Sequence, residues 1–182
     1  MELENTVMID VRNFNESVIG KFNPPTAKLL DPCMKKSTEF PGWVDNNMQK
    51  LQGKKILMYC TGGIRCERAS AYLTQKGLTD INQLEGGIHR YLEQYPLDGG
   101  HWIGKNYTFD KRFSHGAQKS EVISKCVICG EPWERYQAGE KCFKCKMEVI
   151  VCKPCSMIKP RKVPKNQMFC ELCRKKWDLI KN

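Results

Sequence analysis

Apolar runs alternate with segments of helical periodicity along the first half of the chain. Two of these runs are uninterrupted, which is typical of strands buried on both faces of a sheet. Between the runs, apolar residues on one face predict amphipathic helices. Strands that alternate with helices favour an α/β domain with a mainly parallel sheet flanked by helices. The predicted strands are residues 7–9, 56–59 and 81–84, and the predicted helices are residues 44–51, 65–75 and 88–94.

The pattern changes twice along the chain. Prolines, including Pro41, interrupt residues 20–46 and predict a loop-rich segment there. Few aliphatic residues remain beyond Cys126, so we expect metal rather than an apolar core to hold that part together. The predicted organisation is an α/β domain over residues 5–97, a linker over 98–125, a Cys-rich module over 126–173 and a basic tail over 174–182.

Eight of the 11 cysteines form four Cys-x-x-Cys pairs. The N-terminal residues are acidic and lack an apolar signal-peptide region, so we expect a cytoplasmic protein. In that setting such pairs are typical of metal ligands rather than disulfides. Zinc is favoured over an iron–sulfur cluster because the pairs are evenly split and spread. The sequence predicts two zinc ions, held by Cys126, Cys129, Cys142, Cys145, Cys152, Cys155, Cys170 and Cys173.

The spacing leaves the pairing of the four cysteine pairs open. A cross-brace, in which alternate pairs share an ion, is favoured because the gap between Cys145 and Cys152 is short for a single site. A RING-like module is disfavoured because no histidine stands among the predicted ligands. The cross-brace would place Cys126, Cys129, Cys152 and Cys155 in one group and Cys142, Cys145, Cys170 and Cys173 in the other.

The formal net charge of +10 is concentrated towards the end of the chain. Residues 119–182 hold 15 of the 30 Lys and Arg residues but only 7 of the 20 Asp and Glu residues. This excess favours either a polyanionic partner or a solvated face kept for solubility, and charge alone does not separate the two. No apolar run is long enough to cross a bilayer, so we expect no membrane partner. The predicted RNA contacts are Lys159, Arg161, Lys162, Lys165, Arg174, Lys175 and Lys176, with Trp133, Tyr136 and Trp177 as candidate aromatic contacts or module core.

Cys60 follows the predicted strand at residues 56–59 and precedes a glycine-bearing loop and a helix. Gly62 and Gly63 let the backbone curl so that several N–H groups point inward. The helix N-terminus adds partial positive charge, and Arg65 adds a full one. Each of these lowers the pKa of a thiol, so Cys60 is the candidate nucleophile, with a buried structural cysteine as the alternative.

The segment Cys60-Thr61-Gly62-Gly63-Ile64-Arg65 resembles the active-site loop of the rhodanese family, Cys-x-x-Gly-x-Arg. The strand end Asp10-Val11-Arg12 and the turn Gly86-Gly87 are also similar to that family, and the likeness covers residues 5–97. Related phosphatases have five residues between Cys and Arg; the four here suit a single transferred sulfur atom. The resemblance implies a persulfide on Cys60, a catalytic Arg65, a loop formed by Thr61, Gly62, Gly63 and Ile64, and support from Asp10, Arg12 and Cys66.

Residues 58–70 are similar to a particular rhodanese-like subfamily, which contains the bacterial tRNA wobble-uridine hydroxylase and thiosulfate sulfurtransferase-like domain protein 2. The stretch Phe-Asp-Lys-Arg-Phe at residues 109–113 and the Cys-rich end resemble it too. The likeness implies an enzyme that takes sulfur from thiosulfate or a persulfide donor, or one that hydroxylates tRNA uridine. Because members usually carry a domain before the rhodanese core, we expect this sequence to be partial.

Three questions remain open at the level of sequence. Cys66 lies in the first turn of the predicted helix, where it either packs or resolves a persulfide as a disulfide. The rhodanese-like domain could be inert, in which case the chain is a zinc-stapled RNA- or protein-binding module. The intact loop from Cys60 to Arg65 favours the enzyme, since an inert domain has no need of it. The oligomeric state is the third open question.

Overall fold

The computed structural model describes residues 5–108, 114–158 and 163–175, and the chain divides into two compact units, Met1–Glu121 and Val122–Asn182. Elements are numbered in chain order. The first unit contains β1 (Thr6–Asp10), α1 (Phe14–Ser17), β2 (Gly20–Phe22), β3 (Lys28–Leu30), α2 (Phe40–Leu51), β4 (Lys55–Tyr59), α3 (Ile64–Gln75), β5 (Ile81–Gln83), α4 (Gly87–Gln94), β6 (Trp102–Gly104), β7 (Asn106–Tyr107) and β8 (Ser114–His115). The second contains β9 (Tyr136–Lys141), β10 (Glu148–Ile150) and α5 (Lys153–Met157).

Four parallel strands form the central sheet of the first unit, in the order β3-β1-β4-β5. The predicted α/β class with a mainly parallel sheet flanked by helices is therefore confirmed. Strand β4 pairs with β1 from Thr6 opposite Lys55 to Asp10 opposite Tyr59. Because the strands are parallel, the loop that follows Tyr59 lies at the same edge of the sheet as the end of β1.

One face of the sheet packs against α2 and α3. Alternate residues of β4, Ile56 and Met58, are buried here, as expected when successive strand residues point to opposite faces. Helix α2 begins at Phe40, four residues before the predicted start, with Pro41 in its first turn. Pro41 was expected to break the chain, but the first turn of a helix accepts proline because its N–H groups have no intrahelical partner.

The other face of the sheet carries an aromatic cluster. Tyr59, Phe22 and Trp102 pack edge to face, with ring centroids 4.8–6.2 Å apart. Trp102 belongs to β6, which pairs antiparallel with β2. Residues 98–125 were expected to be a linker, but part of this segment is a strand of the first unit. The buried indole of Trp102 and three residue pairings with β2 hold β6 in place. The boundaries of the domains otherwise stay a prediction.

The second unit is organised around its cysteines. Strands β9 and β10 form an antiparallel pair, and Val149, Val151 and Met168 are the buried aliphatic side chains packed among the thiols. This small apolar contribution agrees with the expectation that burial alone does not hold the unit together. Within the described ranges, no helix combines the length and apolar character needed to cross a bilayer. Lys159, Arg161, Lys162, Lys176, Trp177 and the stretch 109–113 lie outside the described residues.

Candidate active site and metal centres

The loop after β4 bends around the sulfur of Cys60. The backbone N–H of Gly63 donates a hydrogen bond to Cys60 Sγ at 3.1 Å. Gly63 has φ 97°, a left-handed conformation that favours glycine, and it forms the N-terminal cap of α3. The backbone amides of Arg65 and Cys66, at the start of the same helix, also lower the pKa of this thiol. The N-terminus of a 12-residue helix therefore faces a thiol that is only 2% exposed.

The thiol of Cys60 has a pKa lowered from 9.0 to about 5. The largest cause is a hydrogen bond from the side chain of Cys66, which is buried at the first turn of α3. Burial opposes the shift, while the loop amides and the positive charge of Arg65 add to it. The same contact raises the pKa of Cys66, since its proton is shared with the Cys60 thiolate. Of the two thiols, Cys60 is the one that ionises at neutral pH.

Arg65 turns towards a buried carboxylate rather than standing free. Its guanidinium forms a bidentate ion pair with Glu16 in α1, at 2.6 Å and 2.7 Å, and also donates to Thr61 Oγ1 at 2.9 Å. Thr61 in turn donates to Glu16 at 3.1 Å. Glu16 is 0% exposed, so the carboxylate of the pair is shielded from solvent, while the Arg65 side chain is 24% exposed. These contacts fix the conformation of the loop from Thr61 to Arg65.

Helix α4 supports the loop from the opposite side. The backbone N–H groups of Ile88 and His89 donate to the carbonyl oxygens of Cys60 and Thr61, at 3.0 Å and 3.1 Å. Gly87 has φ 63°, and a Cβ on it would lie 2.5 Å from the carbonyl oxygen of Cys60. A larger residue at this position would push the loop away from the helix, which is why a glycine is required there.

Asp10 and Arg12 form a separate buried network rather than part of the thiol's surroundings. Arg12 pairs with Asp10 through Nε at 2.9 Å and Nη2 at 2.7 Å, and both residues are fully buried. The Tyr59 hydroxyl donates to Asp10 at 2.8 Å, and the Arg12 guanidinium lies 5.0 Å from the Trp102 ring centroid. Since Tyr59 directly precedes Cys60, this network anchors the end of β4 and supports the loop indirectly.

The remaining loop residues face solvent to different degrees. Gly62 and Ile64 are exposed, Ile64 to 78%, whereas Gly63 and Thr61 are half-buried. The contact of Glu16 with Arg65 was not predicted from the sequence. An acid within the short segment between two buried strands was the available signal, because a buried carboxylate requires a partner.

The eight paired cysteines of the second unit gather into two groups of four. In each group all four sulfur atoms lie within 4.8 Å of one another. The separations of Cys129 from Cys152, 3.7 Å, and of Cys145 from Cys170, 3.6 Å, fit the roughly 3.8 Å edge of a tetrahedron with zinc–sulfur bonds of about 2.3 Å. The groups have the alternate pairing that the cross-brace predicts: Cys126, Cys129, Cys152 and Cys155, and Cys142, Cys145, Cys170 and Cys173. Each can hold a metal ion, and four thiolates are compatible with zinc.

Comparison with known proteins agrees with this geometry. Residues 1–94 match the family model described as the rhodanese-like domain, and residues 103–174 match the one described as rhodanase C-terminal. The chain is 44% identical over 176 residues to rhodanese-like domain-containing protein 6 of Arabidopsis thaliana, covering 96% of this chain and 29% of that protein.

Two bacterial relatives are named tRNA uridine(34) hydroxylase. The chain is 46% identical over 131 residues to the protein from Brucella anthropi, covering 71% of this chain and 41% of the relative. It is 42% identical over 148 residues to the protein from Bacillus licheniformis, covering 79% and 45%. The chain thus spans less than half the length of these relatives.

Proposed function

Because the chain belongs to the rhodanese-like family, we propose that Cys60 is the nucleophile of a rhodanese-type enzyme that modifies tRNA uridine or transfers sulfur. The observation that carries the proposal is the environment of the buried Cys60 sulfur, which accepts a hydrogen bond from the backbone N–H of Gly63 at the start of α3 and has a pKa lowered to about 5. A free cysteine is only a few per cent thiolate at neutral pH, whereas Cys60 is almost fully ionised.

The thiolate supports a balanced sulfur transfer. Cys60 Sγ attacks the sulfane sulfur of thiosulfate, a new S–S bond forms, and the electron pair of the broken bond leaves with sulfite. The product is a persulfide on Cys60 whose terminal sulfur carries one negative charge. The amides that hold the thiolate, including that of Gly63, are placed to stabilise this anion.

Arg65 is proposed to act mainly by positioning. Its charge is matched by Glu16, so it adds less to thiolate stability than the Cys66 thiol does, and it holds Thr61 and the loop in place. Asp10 and Arg12 are proposed as supports one step further away, through Tyr59. A catalytically inert domain would have no need for this set of buried charged contacts, each of which has a desolvation cost.

The macromolecular substrate is proposed to be tRNA. Support comes from the names of the bacterial relatives and from the basic excess of residues 119–182. Among the predicted RNA contacts, Lys165, Arg174 and Lys175 lie within the described residues, and Lys175 forms an ion pair with Glu171 at 2.8 Å. Hydroxylation and sulfur transfer both fit the relatives, and the Cys60 thiolate is the reactive group available to either.

Zinc is proposed as the metal of both groups in the second unit. Each ion would be bound by four thiolates, and no coordination position would remain open for water or substrate. Closed coordination of this kind is typical of structural rather than catalytic zinc sites. The proposed contribution of zinc is folding free energy for a unit with few buried aliphatic residues.

The experiment that tests the proposed nucleophile is mass analysis of the full chain after exposure to thiosulfate. A single added sulfur atom is expected, and peptide mapping is expected to place it on Cys60. An adduct on Cys66 or Cys33, with none on Cys60, would contradict the assignment.

Replacing Cys66 by alanine is expected to raise the pKa of Cys60, because the largest cause of its depression is lost. The alkylation rate of Cys60, followed by peptide mass against pH, should then rise at higher pH than in the wild type. The thiolate is alkylated and the thiol is not, so the midpoint of the profile follows the pKa of Cys60. A higher pKa therefore moves the whole profile towards alkaline pH.

Cys66→Ser is the matched variant, since its hydroxyl retains a hydrogen-bond donor and should restore most of the shift. Cys33→Ser, which removes a thiol from another loop, should leave the profile of Cys60 in place. A profile for Cys66→Ala that coincides with the wild type would show that Cys66 only packs.

A further inference from the structure

A cavity of about 370 Å³ lies beside the active-site loop, between the start of α2 and the first turns of α3. This volume is within the range of small-ligand sites, roughly 300–1,000 Å³. Arg65 lines both the cavity and the loop, so an occupant would lie next to the segment that holds Cys60. The apolar lining consists of Val11, Phe40, Pro41, Ala69 and Tyr72.

Besides Arg65 and the Tyr72 hydroxyl, which donates to Asp45, the polar lining of the cavity is the Arg68 guanidinium and two hydroxyls. Arg68 lies one helical turn from Arg65 on the same face of α3. Within residues 5–108 no carboxylate pairs with Arg68, whereas the charge of Arg65 is already matched by Glu16. The hydroxyls belong to Ser37 and Thr38, which are exposed.

Two lysines and one acid flank the Ser37 and Thr38 hydroxyls in sequence, outside the cavity lining itself. Lys35 and Lys36 are exposed and directly precede Ser37. The acid of the same segment, Glu39, accepts a hydrogen bond from the backbone N–H of Lys35 at 2.9 Å. The cavity therefore combines an apolar floor with the guanidinium of Arg68 and the hydroxyls of Ser37 and Thr38.

We propose that this cavity binds one nucleotide of single-stranded RNA, next to the uridine presented to Cys60. Arg68 pairs with its phosphate, Ser37 and Thr38 contact the ribose hydroxyls, and the base lies on the apolar floor beside Tyr72. Single-stranded RNA is bound through this combination of backbone cations, hydroxyl contacts and apolar or aromatic surfaces. The inference rests on the proposed function, because it takes RNA as the substrate. It adds a binding site for that RNA on the first unit.

Other occupants fit the cavity less well. A small anion such as thiosulfate would use the guanidinium but not the apolar floor. An extended segment of a protein donor would need partners for its backbone N–H and C=O groups along a sheet edge or groove. A nucleotide uses the charge, the hydroxyls and the floor together.

Arg68→Ala tests the phosphate contact. With a fluorescent RNA stem-loop that carries uridine in its loop, loss of one contact should lower the slope of log affinity against log salt by about one. We also expect a loss of affinity of roughly tenfold at low salt. Lys55→Ala is the matched control, because Lys55 is exposed at the start of β4, at the end of the strand away from the loop. Its slope should equal that of the wild type.

Thr38→Trp tests the cavity itself. Tryptophan at this exposed position would fill the cavity without changing the charge around it. RNA affinity should therefore fall, while the slope of log affinity against log salt stays unchanged. A slope and affinity equal to the wild type in both variants would overturn the proposal. It would also be overturned if Arg68→Ala impaired sulfur uptake from a protein persulfide donor but left RNA affinity unchanged.

The proposed function is tested separately by sulfur uptake of the wild type from thiosulfate without RNA. If no adduct forms on Cys60, the nucleophile assignment fails, while the RNA measurements still decide whether the cavity binds a nucleotide.

Discussion

Replacing Cys60 by serine is expected to abolish sulfur uptake from thiosulfate, with a fall in rate of at least about a thousandfold. A serine hydroxyl stays protonated under conditions in which the Cys60 thiol, with its pKa of about 5, is ionised. The hydrogen bond from Gly63 and the helix N-terminus would remain but would have no thiolate to stabilise. The measurement is the one-sulfur mass adduct on the full chain, followed against time.

Cys33→Ser provides the control, because it removes a cysteine from the loop after β3 and leaves Cys60 unchanged. It should form the adduct at the wild-type rate. Thermal unfolding of Cys60→Ser should match the wild type closely, since the two side chains have similar volumes. An adduct that persists in Cys60→Ser would show that another thiol is the nucleophile.

Removal of metal is expected to unfold the second unit and to spare the first. The purified chain should contain two zinc ions, one in each group of four cysteines. Ligand binding supplies on the order of 10 kcal/mol in small zinc modules, far more than the few buried aliphatic side chains of this unit can supply. Hydrogen exchange after chelation should show fast exchange over residues 126–173, while amides of β4 stay protected.

Cys142→Ser is expected to lower the zinc content, whereas Cys33→Ser should keep two ions. Metal analysis that finds iron, or a single ion in the wild type, would contradict the two-site assignment. Protection of β10 that survives chelation would show that the unit folds without metal.

The loop around Cys60 was predictable because its elements are adjacent in sequence. A strand, two glycines and a helix start within ten residues dictate where the amides point. The pairing of the eight cysteines was favoured by gap lengths, which limit the sites that a short chain can close. Local order therefore indicated the candidate nucleophile and favoured one of the possible arrangements of the metal groups.

Contacts between distant residues were not predictable in the same way. Glu16 and Arg65 are 49 positions apart, and only the fold shows that this acid matches the charge of the loop arginine. The sequence predicted that Arg65 and the loop amides stabilise the thiolate, whereas the largest cause of the lowered Cys60 pKa is the hydrogen bond from Cys66. Two cysteines six positions apart can pack, form a disulfide or share a proton, and side-chain direction decides among these.

The alternate pairing of the cysteines makes the two metal groups interdependent. Along the chain, the Cys142 and Cys145 pair lies between the two pairs of the other group, of which the first ends at Cys129 and the second begins at Cys152. When an ion binds either group, it brings together the ends of a loop that contains half of the other group. The first ion therefore bears most of the conformational entropy cost of ordering the unit. Zinc uptake should therefore be cooperative, and singly loaded chains should be scarce at every stage of a titration.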